Sequence, residues 1–168
     1  MKATGEVMAI GRNLEESLLK AVRSLEAGVT HLEIDEATEL SDDELESQIK
    51  RQDDQRLFWV AEAIRRGIFI ETIWQWTKID LFFLNKIEKI VQMEKTLADK
   101  VENTEVLEEA KRLGFSDQKI AELWNWSVRD VESFRTAHEI TPVYKMVDTC
   151  AAEFESETPY YYGTYEDE

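Results

Sequence analysis

Only three residues of this chain belong to the types that most often ligate transition metals: His31, His138 and Cys150. A structural zinc site needs four such ligands, usually paired at gaps of a few residues. These three are scattered, so the histidines read as core or surface residues and the cysteine as an unligated thiol. A serine-nucleophile relay needs a serine in a strained elbow beside a histidine and an acid. Neither histidine has that context. A phosphate-cradling loop needs clustered glycines ahead of a helix, and the six glycines are spread along the chain. Gly5 and Gly11 bracket a short apolar run but lack a third glycine and a following lysine. Carboxylates pose the opposite problem. With 36 acids, pairs occur everywhere, so none stands out as an acid–base couple and they read as solvated surface groups. No catalytic, cofactor-binding or metal-binding residue emerges.

One local pattern has functional form. Phe115 to Arg135 reads as a helix-turn-helix, with Ile120 and Leu123 packing against Val128, Val131 and Phe134. Arg129 and Arg135 would then be offered to a groove. Charge argues against that use: from Ser116 to His138 three bases face four acids, within a chain of net charge −16. Duplex affinity rests largely on neutralising phosphates, so a helical hairpin used for packing is the stronger reading. The same charge repels anionic lipid surfaces at long range and points to protein partners. The longest apolar runs, such as Leu81-Phe82-Phe83-Leu84, are too short to span a bilayer. The start of the chain has no apolar signal-peptide core. A lone cysteine rules out an internal disulfide, and a reducing cytoplasm is the expected compartment.

The elements that must position these residues are mostly helical. Gly5–Gly11 reads as a strand. Asn13 with Glu16 forms a capping pattern ahead of Leu14, Leu18, Val22 and Leu25, and Gly28 supplies the stop. From Glu33 to Glu46 there are eight acids and no base, which predicts a solvated loop running into a helix near Asp42–Lys50. Leu57 to Ile64, closed by Arg65, Arg66 and Gly67, predicts a further helix. A short helix over 71–78 and a long amphipathic one carrying Ile79, Phe83, Ile87 and Ile90 follow. Three more are expected near 105–113, 117–124 and 128–137. No proline precedes Pro142, in keeping with stacked helices. After Thr141 the helical period is lost, and Tyr160, Tyr161, Tyr162 and Tyr165 mark an irregular tail. The five tryptophans exceed what so small a core needs and suggest an interface.

Two segments carry a resemblance. Met-Lys-Ala-Thr-Gly-Glu-Val-Met-Ala-Ile-Gly-Arg (1–12), followed by Glu-Glu-Ser-Leu-Leu-Lys-Ala (15–21), resembles the sequence closing the first ATP-grasp unit of the carbamoyl phosphate synthetase large subunit. Pro-Val-Tyr-Lys-Met-Val-Asp-Thr-Cys-Ala-Ala-Glu-Phe (142–154) resembles the stretch leading into its second synthetase half. Between them the helical insert is similar to the family's oligomerisation domain, with weaker markers at Trp59–Gly67, Lys78–Asp80 and Gly114–Ser116. The resemblance implies three parts: residues 1–26 ending the first ATP-grasp unit, 27–141 as a helical connecting and oligomerisation domain, and 142–168 as a linker into the second half. It further implies a parent ligase making carbamoyl phosphate from bicarbonate, glutamine-derived ammonia and two ATP, for arginine and pyrimidine synthesis. ATP, Mg²⁺ or Mn²⁺, and K⁺ would be bound outside residues 1–168, leaving these residues without cofactor or turnover of their own. The implied partners are the flanking ATP-grasp halves, the glutaminase small subunit and further copies of the chain. Two residues take roles by resemblance. Glu6 matches a glutamate lining the carbamate channel, the alternative being a strand carboxylate paired with a nearby base. Leu45 matches a subunit-interface position, the alternative being an ordinary core leucine.

Overall fold

A computed structural model describes residues 6–25, 28–147 and 160–166. Among these residues the chain forms nine helices and one two-stranded ribbon: α1 (Leu14–Ser24), α2 (Asp35–Glu39), α3 (Asp42–Lys50), α4 (Arg56–Arg65), α5 (Ile70–Thr77), α6 (Leu81–Asp99), α7 (Thr104–Arg112), α8 (Asp117–Trp124) and α9 (Val128–Ala137), then β1 (Val143–Met146) and β2 (Tyr161–Thr164). Helix accounts for 61% of the structure, so the mostly helical class holds.

α6 is the spine. It packs against α1, α4, α5, α7 and α8, and its buried face runs Leu84, Ile87, Ile90, Val91, Glu94 and Leu97. That stripe recurs every three or four residues, as a core-facing helix requires. The sequence reading placed Phe83 on this face. Phe83 is instead exposed and Leu84 takes the inner position; both lie about one turn before Ile87, so periodicity alone does not choose between them and the packing does. At the far end of α6 the Leu97 carbonyl accepts from Trp124 Nε1 at 2.9 Å. Trp124, Trp126 and Phe134 meet edge to face there, at 5.2 to 5.8 Å between ring centres. Trp59 and Trp124 are buried and Trp76 and Trp126 pack partly against the core. The interior therefore absorbs four of the five tryptophans.

Local chemistry sets the helix ends. Asn13 Oδ1 accepts from the Glu16 amide at 2.8 Å, as expected of an N-cap. The Glu16 carboxylate reaches one residue further back and accepts from the Arg12 amide at 2.7 Å. Ser41–Glu44 and Ser127–Asp130 form reciprocal capping boxes at α3 and α9. Asn125, in the left-handed region at φ 55°, turns α8 into α9.

Three expectations change. Residues 6–11 form no strand. An extended segment needs a partner for its backbone groups, and β1 and β2 pair only with each other, antiparallel, with Val143 opposite Thr164 and Met146 opposite Tyr161. The same pairing gives regular structure to part of the expected irregular tail, while residues 148–159 and 167–168 lie outside the described residues. Third, the acidic stretch is not a bare loop, because it holds α2. Arg66 explains why. From the end of α4 it donates to the carbonyls of Ala37 and Leu40, each at 2.8 Å, and pairs with Asp42 at 2.9 Å and Glu62 at 2.9 Å. One guanidinium thus satisfies the open carbonyls at the end of α2 and ties that end to acids of α3 and α4. Arg66→Ala is expected to speed amide hydrogen exchange in residues 35–40 by roughly tenfold while leaving α7–α9 protected. Unchanged exchange in 35–40 would remove Arg66 from this role.

Candidate functional site

The incoming and outgoing ends of the described chain meet on α1. Lys20 Nζ donates to the Ile10 carbonyl at 2.9 Å and to the Gly163 carbonyl at 2.6 Å, and pairs with Glu16 at 2.8 Å. Its ammonium also lies 5.7 Å from the centre of the Tyr162 ring. Arg12 joins the same two segments by its ion pair to Glu166 at 2.8 Å. From α7, Arg112 donates to the Tyr165 carbonyl at 3.2 Å, and Asn13 Nδ2 donates to the Arg112 carbonyl at 3.0 Å. Lys111 and Arg135 lie 4.8 and 6.0 Å from the centre of the Tyr165 ring. The tail's tyrosines and carbonyls are thus collected by a cluster of cations, in an otherwise acidic chain. α1 reaches this position by lying against the α7–α8 turn, where Arg23 donates to the Gly114 carbonyl at 2.7 Å. Gly114 allows that approach: its φ is +90°, and a Cβ there would sit 2.8 Å from Glu16 Cα.

The expectation of solvated carboxylates fails at four positions. Glu15, Glu16, Glu62 and Glu94 are buried. Glu94 anchors a network that no sequence argument identified. Its carboxylate accepts from Arg65 through both oxygens, at 2.8 Å each, and from His31 Nε2 at 2.8 Å. Arg65 also donates to the Leu32 carbonyl at 2.6 Å. Burial disfavours the Glu94 charge, yet the bonds and charge of Arg65 and His31 outweigh it and hold the carboxyl at about 2. The reciprocal effect keeps the Arg65 guanidinium above its ordinary range despite burial. The signal was present in the sequence: Glu94 falls on the same stripe as Ile87, Ile90 and Leu97, where a charge requires a partner. His31 brings an acid partner, Glu94. Its ring lies 4.9 Å from that of Phe115, as befits a core histidine.

The helix-turn-helix exists as α8 and α9, with Arg129 exposed but Arg135 committed to an inward pair. Arg135 Nε binds Asp117 at 2.8 Å, and Asp117 also binds Lys111 at 2.7 Å. Burial opposes the Asp117 charge, but Lys111 and Arg135 prevail and hold its carboxyl below the usual range. Burial pushes the Lys111 ammonium down in turn. Val131 packs inside as expected, whereas Val128 is half-exposed.

The residues assigned by resemblance lie apart. Glu6 is exposed on the segment leading into α1. Leu45 is fully buried on α3, so its side chain fills the core, and any contribution to an interface would act through the helix it anchors. Among the described residues no group of three or more His, Cys, Asp or Glu could hold a metal, and Cys150 lies outside them. No described helix is long and apolar enough to cross a membrane. Among the described residues the exposed apolar side chains include Trp74, Leu81, Phe82 and Phe83 around the junction of α5 and α6, Phe69 at the start of α5, and Tyr144, Met146, Tyr160 and Tyr161 at the ribbon.

The sequence model of one known family, the carbamoyl-phosphate synthetase large chain oligomerisation domain, matches residues 6–139. That span contains α1 through α9 and stops just before the ribbon. With a single helical body, an outward apolar junction and most of its length matched, the chain belongs to the carbamoyl-phosphate synthetase large-chain oligomerisation domain family.

Proposed function

We propose that this chain is the non-catalytic joint of a carbamoyl phosphate synthetase large subunit, connecting two ATP-grasp halves and holding subunits together. The observation that carries the connecting role is the meeting of both ends at Lys20, whose ammonium bridges the Ile10 and Gly163 carbonyls. Segments 1–12 and 142–154 are those that resemble the edges of the two halves. A joint that clasps its incoming and outgoing segments on one helix fixes the spacing of whatever is attached to each.

In this reading residues 1–26 close the first unit, 27–141 form the oligomerising body and 142–168 lead into the second half. The parent is a ligase that makes carbamoyl phosphate from bicarbonate, two ATP and ammonia released from glutamine by a small glutaminase subunit. It needs Mg²⁺ or Mn²⁺, and K⁺, serves arginine and pyrimidine biosynthesis, and works in the cytoplasm. Exposure of Glu6 on the lead-in segment leaves it accessible to a carbamate channel formed with the neighbouring unit.

Two measurements test the proposal. The purified chain is expected to hydrolyse ATP at the background rate with bicarbonate and Mg²⁺, and turnover above background would overturn the non-catalytic assignment. The coding sequence on either side is expected to continue into ATP-grasp units, and its absence on either side would overturn the connecting role.

A further inference from the structure

We propose that the α5–α6 corner is the face by which a second copy of this chain docks. The inference rests on the oligomerising role above and assigns it a surface. Phe82 is 55% exposed, Phe83 49%, Trp74 40% and Leu81 39%. Together they offer roughly 370 Å² of apolar side chain, taking about 200 Å² for each when fully exposed. That lies in the range of the largest apolar patch of an ordinary monomer, which is often functional. It would form the apolar centre of an interface, with polar surroundings supplying the rest of the roughly 800 Å² that each partner of a stable complex buries.

Charge selects the occupant. Two chains of net charge −16 repel one another, and most of all through the stretch from Glu33 to Glu46, with its eight acids and no base. Residues 69–89 carry three acids (Glu71, Asp80, Glu88) and three bases (Lys78, Lys86, Lys89). The corner is therefore a place where two copies can meet without stacking like charge. A basic partner would be drawn to the acidic stretch instead. The cations at the corner already lie against its rings, Lys78 Nζ at 4.2 Å from the Trp74 ring centre and Lys86 Nζ at 5.5 Å from that of Phe82. Lys78 and Asp80 are both exposed at the turn. Across a two-fold axis, such a self-complementary pair can face its own copy in reverse order.

The test is sedimentation velocity of the 168-residue chain over a wide concentration range, with Phe83→Asp and Phe82→Asp alongside. Both positions are exposed, and unchanged far-UV circular dichroism confirms that each variant is folded. The wild type is expected to self-associate, and each aspartate to raise the dissociation constant at least about 30-fold. Raising NaCl to 1 M is expected to tighten wild-type association, because salt screens the mutual repulsion and leaves apolar contact intact. Association that survives both substitutions would overturn the corner as the interface and leave the oligomerising role standing. Association lost at high salt would overturn the apolar mode. A wild type that stays monomeric throughout would overturn the oligomerising role itself, and the corner with it.

Discussion

Glu94→Gln is expected to destabilise this chain by about 3–5 kcal/mol, the usual effect of removing one partner from a buried ion pair. The substitution leaves Arg65, mostly buried and bonded through Nε and one terminal nitrogen to Glu94, with no fully paired countercharge: the Leu32 carbonyl, a longer contact to Glu62 at 3.5 Å and at most one amide oxygen in place of two carboxylate oxygens. An amide cannot replace a carboxylate that accepts from Arg65 and His31 together. Urea denaturation followed by tryptophan fluorescence measures the change. Arg65→Met added to Glu94→Gln is expected to recover part of the loss, since the stranded charge is gone. A single variant within about 1 kcal/mol of wild type would show that the network contributes little. The pH dependence has a definite direction. Glu94 ionises at about 2 when folded, against an ordinary 4.5, so below pH 4.5 the unfolded chain takes up this proton first. The stabilisation, about 3 kcal/mol from that difference, is complete above pH 4.5 and fades as pH falls toward 2. Acid titration of Glu94→Gln should lack this component. An identical acid profile would refute it.

Gly114→Ala is expected to cost about 2–5 kcal/mol, more than any other glycine-to-alanine change among the described residues. Two penalties coincide. A φ of +90° costs an L residue about 1–2 kcal/mol, and the new methyl would lie 2.8 Å from Glu16 Cα, a backbone overlap adding about 1–3 kcal/mol. Gly67 separates these terms. Its φ is +85° but nothing lies within 4 Å of its would-be Cβ, so Gly67→Ala should show the conformational penalty alone. Equal losses at the two positions, measured by thermal or urea unfolding, would mean that the contact between α1 and the α7–α8 turn yields freely. The Gly114 variant should also loosen the clasp at Lys20, because α1 is seated by that contact.

The helices were legible because their signals are local. α8 and α9 fall at 117–124 and 128–137, where the apolar spacing placed them, and Asn13 caps α1 as its position suggested. The absence of a strand at 6–11 was not legible, since an extended segment becomes a strand only when a partner pairs with it, and pairing is decided elsewhere in the chain. α2 was hidden for a similar reason. Its own residues argue for a loop, and the guanidinium that stabilises it comes from Arg66 at the end of α4. The Glu94 network lay half in view: the helical stripe marked a carboxylate on a buried face, but His31 and Arg65 come from distant parts of the sequence. Direction of exposure followed the same rule. Composition announced an excess of aromatics, yet four of the tryptophans go inward or partly inward, and the outward rings are mainly phenylalanines at the starts of α5 and α6 and tyrosines of the ribbon.

By itself, then, the amino-acid order determined the helical class, most helix ends and the segments that resemble the edges of a synthetase, because capping, periodicity and motif identity act over a few residues. The tertiary structure alone decided which carboxylates are buried and paired, that the segments around Ile10 and Gly163 meet at Lys20, and that the α5–α6 corner faces outward. Each of these depends on groups far apart in sequence whose proximity exists only once α6 has gathered the other helices around it.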